Sequence, residues 1–149
     1  MNESRFVYVT YIRTTPEKLW QALTDPRIIP QYWFGATQES EWKAGAAWKL
    51  ILADGRVADT GAVLESDPPK RLVLRWRNEF MPELKAEGEA RATYVLEPVG
   101  DAVKLTIVHE IATAGSKFIE KVSGGWPKVL ASLKSLLETG SALAEINAA

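Results

Sequence analysis

The chain has 149 residues, 46% of them hydrophobic and 25% charged, with a formal net charge of −1. That is the composition of a soluble globular chain, and at this length roughly two-thirds of the unfolded surface is buried without disulfides or a metal staple. The balanced charge gives no drive toward nucleic acid, no apolar run approaches the ~20 residues of a membrane span, and the lack of cysteine removes thiol nucleophiles and Cys-bound metals.

One domain is expected over 1–149, ordered from about residue 5 to about residue 140, with a frayed tail over 141–149. Residues 1–5 lack the basic and apolar stretches of a secretory signal, so the expected address is cytoplasmic. The single histidine removes any His-rich metal motif, and no cofactor is expected. Six tryptophans stand out, at positions 20, 33, 42, 48, 76 and 126.

Residues 6–12 are rich in β-branched and aromatic side chains and read as a strand. Thr15-Pro16-Glu17 follows as a helix start: an N-cap, a proline in the first turn and an acid at the positive end. Leu19, Trp20 and Leu23 give that helix its apolar stripe. Asp25-Pro26 opens a second short helix, which Pro30 and the cluster Tyr32-Trp33-Phe34-Gly35 are expected to end.

An antiparallel meander follows. Residues 37–42 form a candidate strand, with a turn at Lys43-Ala44-Gly45. Trp48, Leu50 and Leu52 alternate with Lys49 and Ile51, and Asp54-Gly55 is a hairpin signal with residues 57–65 returning from it. Asp67-Pro68-Pro69 breaks the pattern. Leu72, Leu74 and Trp76 then alternate with a basic stripe of Arg71, Arg75 and Arg77, which reads as a solvent face. Residues 78–88 are polar and irregular, a loop long enough for a lid or binding role. Ala92, Tyr94 and Leu96 belong to the next strand, and Val103, Leu105, Ile107 and His109 share one face of the last.

Trp126, Val129, Leu130, Leu133, Leu136 and Leu137 form one continuous apolar stripe of a terminal helix. Pro127 suits its first turn and Gly140 its C-terminal cap. Residues 117–122 are either a separate helical turn before Gly124-Gly125 or part of the same helix, kinked there. The order of elements is α+β: a strand, two short helices, an antiparallel sheet and one long helix laid on its inner face.

Several segments together resemble a known family. They are Thr15-Pro16-Glu17-Lys18-Leu19-Trp20, Thr24-Asp25-Pro26 with Trp33, Gly45-Ala46-Ala47-Trp48, Asp54-Gly55, and Gly61-Ala62-Val63-Leu64-Glu65 before Pro68-Pro69. Leu105-Thr106-Ile107-Val108-His109-Glu110 and Gly125-Trp126 ahead of Val129, Leu130, Leu133 and Leu137 complete the set. The chain resembles the START-like (SRPBCC) superfamily, and within it the branch named after the activator of the heat-shock-protein-90 ATPase. The family commonly has Gly-Gly where this chain has Gly45-Ala46. The resemblance implies a helix-grip fold, a curved antiparallel sheet of about six strands wrapped on the C-terminal helix. It also implies a cavity between sheet and helix for a small apolar or amphipathic ligand, although this scaffold hosts binders, lipid carriers, cyclases, hydrolases and co-chaperone-like modules.

On that reading the ligand-binding residues are Trp33, Phe34, Trp48, Leu50, Leu74, Trp76, Tyr94, His109, Trp126 and Leu130. His109 titrates closest to neutrality and would orient a ligand's polar end; the plainer alternative is a histidine bonded to backbone. Trp20 reads as core and Trp42 as exposed beside a turn. Asp59 and Glu65 share strand phase with Gly61 and Val63, so either turns inward or both are solvated. No Gly-x-Ser-x-Gly elbow or phosphate loop is present, and Ser123-Gly124-Gly125 is a helix-entry turn. Three functions follow in order: binding of a hydrophobic small molecule by a monomer or homodimer, a co-chaperone-like module that stimulates a chaperone ATPase, and an enzyme using the same cavity.

Overall fold

The computed structural model describes residues 4–144. The element order is β1 (Ser4–Ile12), α1 (Pro16–Thr24), α2 (Ile29–Tyr32), β2 (Thr37–Ser40), β3 (Ala47–Ile51), β4 (Val57–Asp67), β5 (Arg71–Asn78), α3 (Pro82–Lys85), β6 (Ala90–Val99), β7 (Ala102–Ile111) and α4 (Lys117–Thr139). The strands form one seven-stranded sheet in the order β1-β7-β6-β5-β4-β3-β2, every neighbouring pair antiparallel. It is an α+β helix-grip fold with one strand more than the expected six. The short helices α1 and α2 carry the chain from the β1 edge to the β2 edge, and the meander returns strand by strand until β7 pairs with β1.

Local chemistry explains the elements. The Thr15 side chain caps α1 by accepting from the Lys18 N–H, and Leu19, Ala22 and Leu23 are its buried face. Along β7, burial alternates through Val103, Leu105, Ile107 and His109 to Ile111. Small residues stand opposite large ones on the inner face: Ala90 pairs with Trp76, and Ala92 with His109. That leaves room for the rings. Gly140 ends α4 with φ 87°, the left-handed cap that glycine adopts without penalty.

Three expectations change. Pro30 does not end the second helix; it occupies the first turn of α2, where its missing N–H costs nothing, and Trp33 is the C-cap. The segment at 117–122 and the terminal helix are one element, so Pro127 lies inside α4 instead of in its first turn. The start is set upstream by Ser116, whose hydroxyl accepts from the Ile119 N–H, and the core stripe carries the helix past the single hydrogen bond that Pro127 removes. The expected irregular loop over 78–88 contains α3, begun by Pro82 with Glu83 in its first turn.

Two glycines differ sharply in what a methyl group would meet. At Gly61 on β4 a Cβ would lie 1.7 Å from the Arg75 carbonyl oxygen on β5, so no other residue fits that register. At Gly124, within α4, a Cβ meets nothing within 4 Å. Gly61→Ala is therefore expected to destabilise the protein by more than about 2 kcal/mol, whereas Gly124→Ala stabilises it by roughly 0.5–1 kcal/mol through helix propensity. Urea unfolding of both variants checks the pair.

Candidate functional site

The strongest feature of the interior is a cluster of rings between sheet and helix. Trp48 and Trp76 have centroids 4.5 Å apart, and Trp76 lies 4.9 Å from His109 and 6.0 Å from Trp126. Trp33 and Tyr94 meet Trp126 edge-on at 5.5 and 5.8 Å. One hydrogen bond fixes the helix within this cluster: the Trp126 indole N–H donates to His109 Nδ1 at 3.0 Å. With Nδ1 accepting, the imidazole is neutral and carries its proton on Nε2, which has no hydrogen-bond partner among the described residues. Burial holds the His109 pKa down at about 3.

Toward one end the packing opens into a cavity of about 600 Å³. The sheet contributes Leu50, Ala58, Asp59, Trp76 and Asn78; the α2–β2 connection contributes Trp33 and Phe34. Helix α4 closes another side with Phe118, Trp126 and Val129, and Lys121 and Lys128 also line the cavity from this helix. Phe34 reaches it from a left-handed backbone, φ 52°, an unfavourable state for an aromatic residue and a mark of local constraint.

The segment around α3 supplies Phe80, Met81 and Leu84, and Asn78 positions it. The Asn78 Oδ1 accepts from the Phe80 and Met81 N–H groups at 3.1 and 2.8 Å, an Asx-type turn. Its Nδ2 donates to Asp59 Oδ1 at 3.3 Å. Farther along, the Glu87 carboxylate accepts from the Ser116 hydroxyl and the Lys117 N–H, which ties this wall to the start of α4.

Five of the ten residues singled out from the sequence line the cavity: Trp33, Phe34, Leu50, Trp76 and Trp126. Trp48, Leu74, Tyr94, His109 and Leu130 are buried behind or beside them and do not line it. Trp48 spends its indole N–H on Gln38 Oε1 at 2.9 Å. Trp20 and Trp42 are partly buried against the core, Trp42 with φ 58°. In the arginine stripe Arg71 and Arg75 are exposed, with ion pairs to Glu65 and Glu89, whereas Arg77 is half-buried.

Asp59 is the polar site residue that sequence phase alone left undecided between wall and solvent. It is 7% exposed and lines the cavity, whereas Glu65 is exposed. A bulge between Val63 and Glu65 breaks their shared phase and turns Glu65 outward. Burial pushes the Asp59 carboxyl up to about 6, opposed by the Trp76 and Asn78 donors and reinforced by the charge of Glu79. The Trp76 indole lies near enough to favour the carboxylate, but its N–H completes no hydrogen bond of normal geometry.

With this geometry, comparison with known proteins is direct. The family model described as Activator of Hsp90 ATPase homolog 1-like protein matches residues 13–138. The chain belongs to this family. Among solved structures, the Aha1 dimer from Colwellia psychrerythraea superposes with a TM-score of 0.73 at 21% identity, covering 92% of this chain and 98% of that one. PFC0360w, an HSP90 activator from Plasmodium falciparum, gives 0.73 at 22% identity, over 89% and 95% of the two chains. CalU16 from Micromonospora echinospora gives 0.73 at 18% identity, over 91% and 77%. These likenesses establish a shared fold. Comparison with curated proteins finds no significant match. No helix among the described residues is long and apolar enough to cross a membrane.

Two buried titratable groups, Asp59 and His109, give opposite pH dependences. Asp59, at about 6 in the fold against about 3.9 unfolded, makes the native state bind the extra proton, so its contribution to stability falls as pH rises between those values. His109, at about 3 in the fold against about 6.5 unfolded, makes the unfolded state bind the extra proton, so its contribution rises with pH. Asp59→Asn removes only the first. Its stability relative to wild type is expected to be lowest near pH 4 and to climb by about 2–3 kcal/mol on reaching pH 7. Chemical denaturation at several pH values checks this; a difference independent of pH contradicts the burial of a charged Asp59.

Proposed function

We propose that this protein binds a small apolar or amphipathic molecule in the cavity between the sheet and α4. The observation that carries the reading is the combination of volume and lining. About 600 Å³ lies within the ordinary range of small-molecule sites, and such sites pair aromatic walls with a few placed polar groups. Here Trp33, Phe34, Leu50, Trp76 and Trp126 are the walls, and Asp59 and Asn78 are the polar groups. Trp48, Leu74, Tyr94, His109 and Leu130 form the buried layer that holds those walls in place. The neutral His109 anchors Trp126 and takes no proton at physiological pH.

A second reading has its own support. The family is named for activation of a chaperone ATPase, and the Plasmodium relative is described as an HSP90 activator. Under that reading this chain stimulates an Hsp90-type ATPase as a monomer or, like the Colwellia relative, as a dimer. An ATPase assay with purified chaperone separates the two, since a ligand binder leaves the turnover unchanged.

The direct test is titration of intrinsic tryptophan fluorescence with a panel of apolar and amphipathic molecules, flat aromatics and fatty acids included. Saturable quenching or a spectral shift is expected, because three tryptophans line the cavity. Trp33 is half-buried at the edge of the core; Trp33→Ala is expected to weaken binding by at least about tenfold while unfolding stays cooperative. A flat response across the panel overturns the reading.

A further inference from the structure

Resting on the cavity reading above, we infer that the ligand carries a cationic amine, an ammonium seated against Asp59 with its apolar body among the rings. Of the charged residues that line the cavity, Asp59 is buried, while Lys121 is exposed and Lys128 half-buried. An ionised carboxylate removed from water is costly unless hydrogen bonds or an opposite charge compensate it.

Compensation within the described chain is incomplete. A carboxylate offers about four acceptor sites; Asp59 uses one in the long 3.3 Å bond from Asn78, and the nearby Trp76 indole N–H favours the carboxylate without completing a hydrogen bond of normal geometry. It forms no ion pair with a described residue, and the charge that acts on it is the like charge of Glu79. Glu79 is itself satisfied by Thr60 at 2.6 Å and Lys85 at 2.9 Å, so neither the Thr60 hydroxyl nor the Lys85 ammonium is directed to Asp59.

A ligand ammonium supplies what is missing: a positive charge and three N–H donors in a compact group. The walls suit it too, because the rings of Trp76, Trp126, Trp33 and Phe34 line the cavity, and aromatic rings attract a desolvated cation. A ligand carboxylate at the same place meets like charge. A hydroxyl fills one acceptor site and leaves the charge uncompensated. Lys121 and Lys128 on α4 would favour the opposite polarity, so an anionic probe belongs in the test.

The experiment is calorimetric titration of the protein at about pH 7.5 with three probes that share one apolar body: phenylbutylamine, phenylbutanol and phenylbutyrate. The amine is expected to bind at least about tenfold more tightly than the alcohol, and the alcohol more tightly than the carboxylate. In Asp59→Asn the ratio of amine to alcohol affinity is expected to fall to about one. The ranking in the unmodified protein stands as a test even if that variant fails to fold. Tightest binding of phenylbutyrate, equal binding of amine and alcohol, or an unchanged ratio in Asp59→Asn overturns the inference while leaving the cavity reading intact. Binding of none of the three overturns both.

Discussion

The hydrogen bond from the Trp126 indole to His109 Nδ1 is the constraint on which the interior depends. It is a buried side-chain hydrogen bond that crosses from α4 to β7 inside the ring cluster, so it sets the helix's rotation and depth on the sheet. A ring stack alone tolerates sliding; a hydrogen bond to one nitrogen does not. The histidine is held neutral by burial, and its bond is therefore insensitive to pH across the physiological range. With Trp126 fixed there, Trp33, Tyr94 and Trp76 find their edge-on partners.

Placing α4 in this way fills one part of the groove and leaves the cavity where the first half of the helix, the α3 segment and the α2–β2 connection converge. Asn78 links two properties of that cavity: one end of its amide shapes the α3 wall and the other touches the Asp59 carboxylate. A change in the charge of Asp59 therefore acts on a group that also positions the wall. Glu87 holds the far end of the same segment to the start of α4.

Much of this was legible in the sequence. Strict alternation in residues 103–109 placed His109 inward, and helical spacing placed Trp126 on the face that meets it. Legibility failed where a local irregularity decides the outcome. The phase of Asp59 and Glu65 looked equivalent until the bulge beside Leu64 separated them. Pro127 read as a helix start because a proline's local preference is visible, while the tertiary packing that carries α4 past it is not. Helix α3 has four residues, too few for any periodicity, and the Asn78 turn that sets it up is a side-chain effect. Within the ring cluster, no pattern in the chain distinguishes Trp76, which lines the cavity, from its neighbour Trp48, which is hydrogen-bonded to Gln38 behind it.

The central claim is that one defined cavity, and not the surface at large, receives a small molecule. Its most direct test is the set of six tryptophan indole N–H resonances in a nitrogen-15 correlation spectrum, followed as phenylbutanol is added. Trp33, Trp76 and Trp126 line the cavity, whereas Trp20 and Trp42 do not. Saturable shifts at the first three, largest at the Trp76 N–H, which has no hydrogen-bond partner among the described residues, with Trp20 and Trp42 stationary, are the result expected of a ligand cavity. Shifts confined to Trp20 and Trp42, or equal at all positions without saturation, would contradict it.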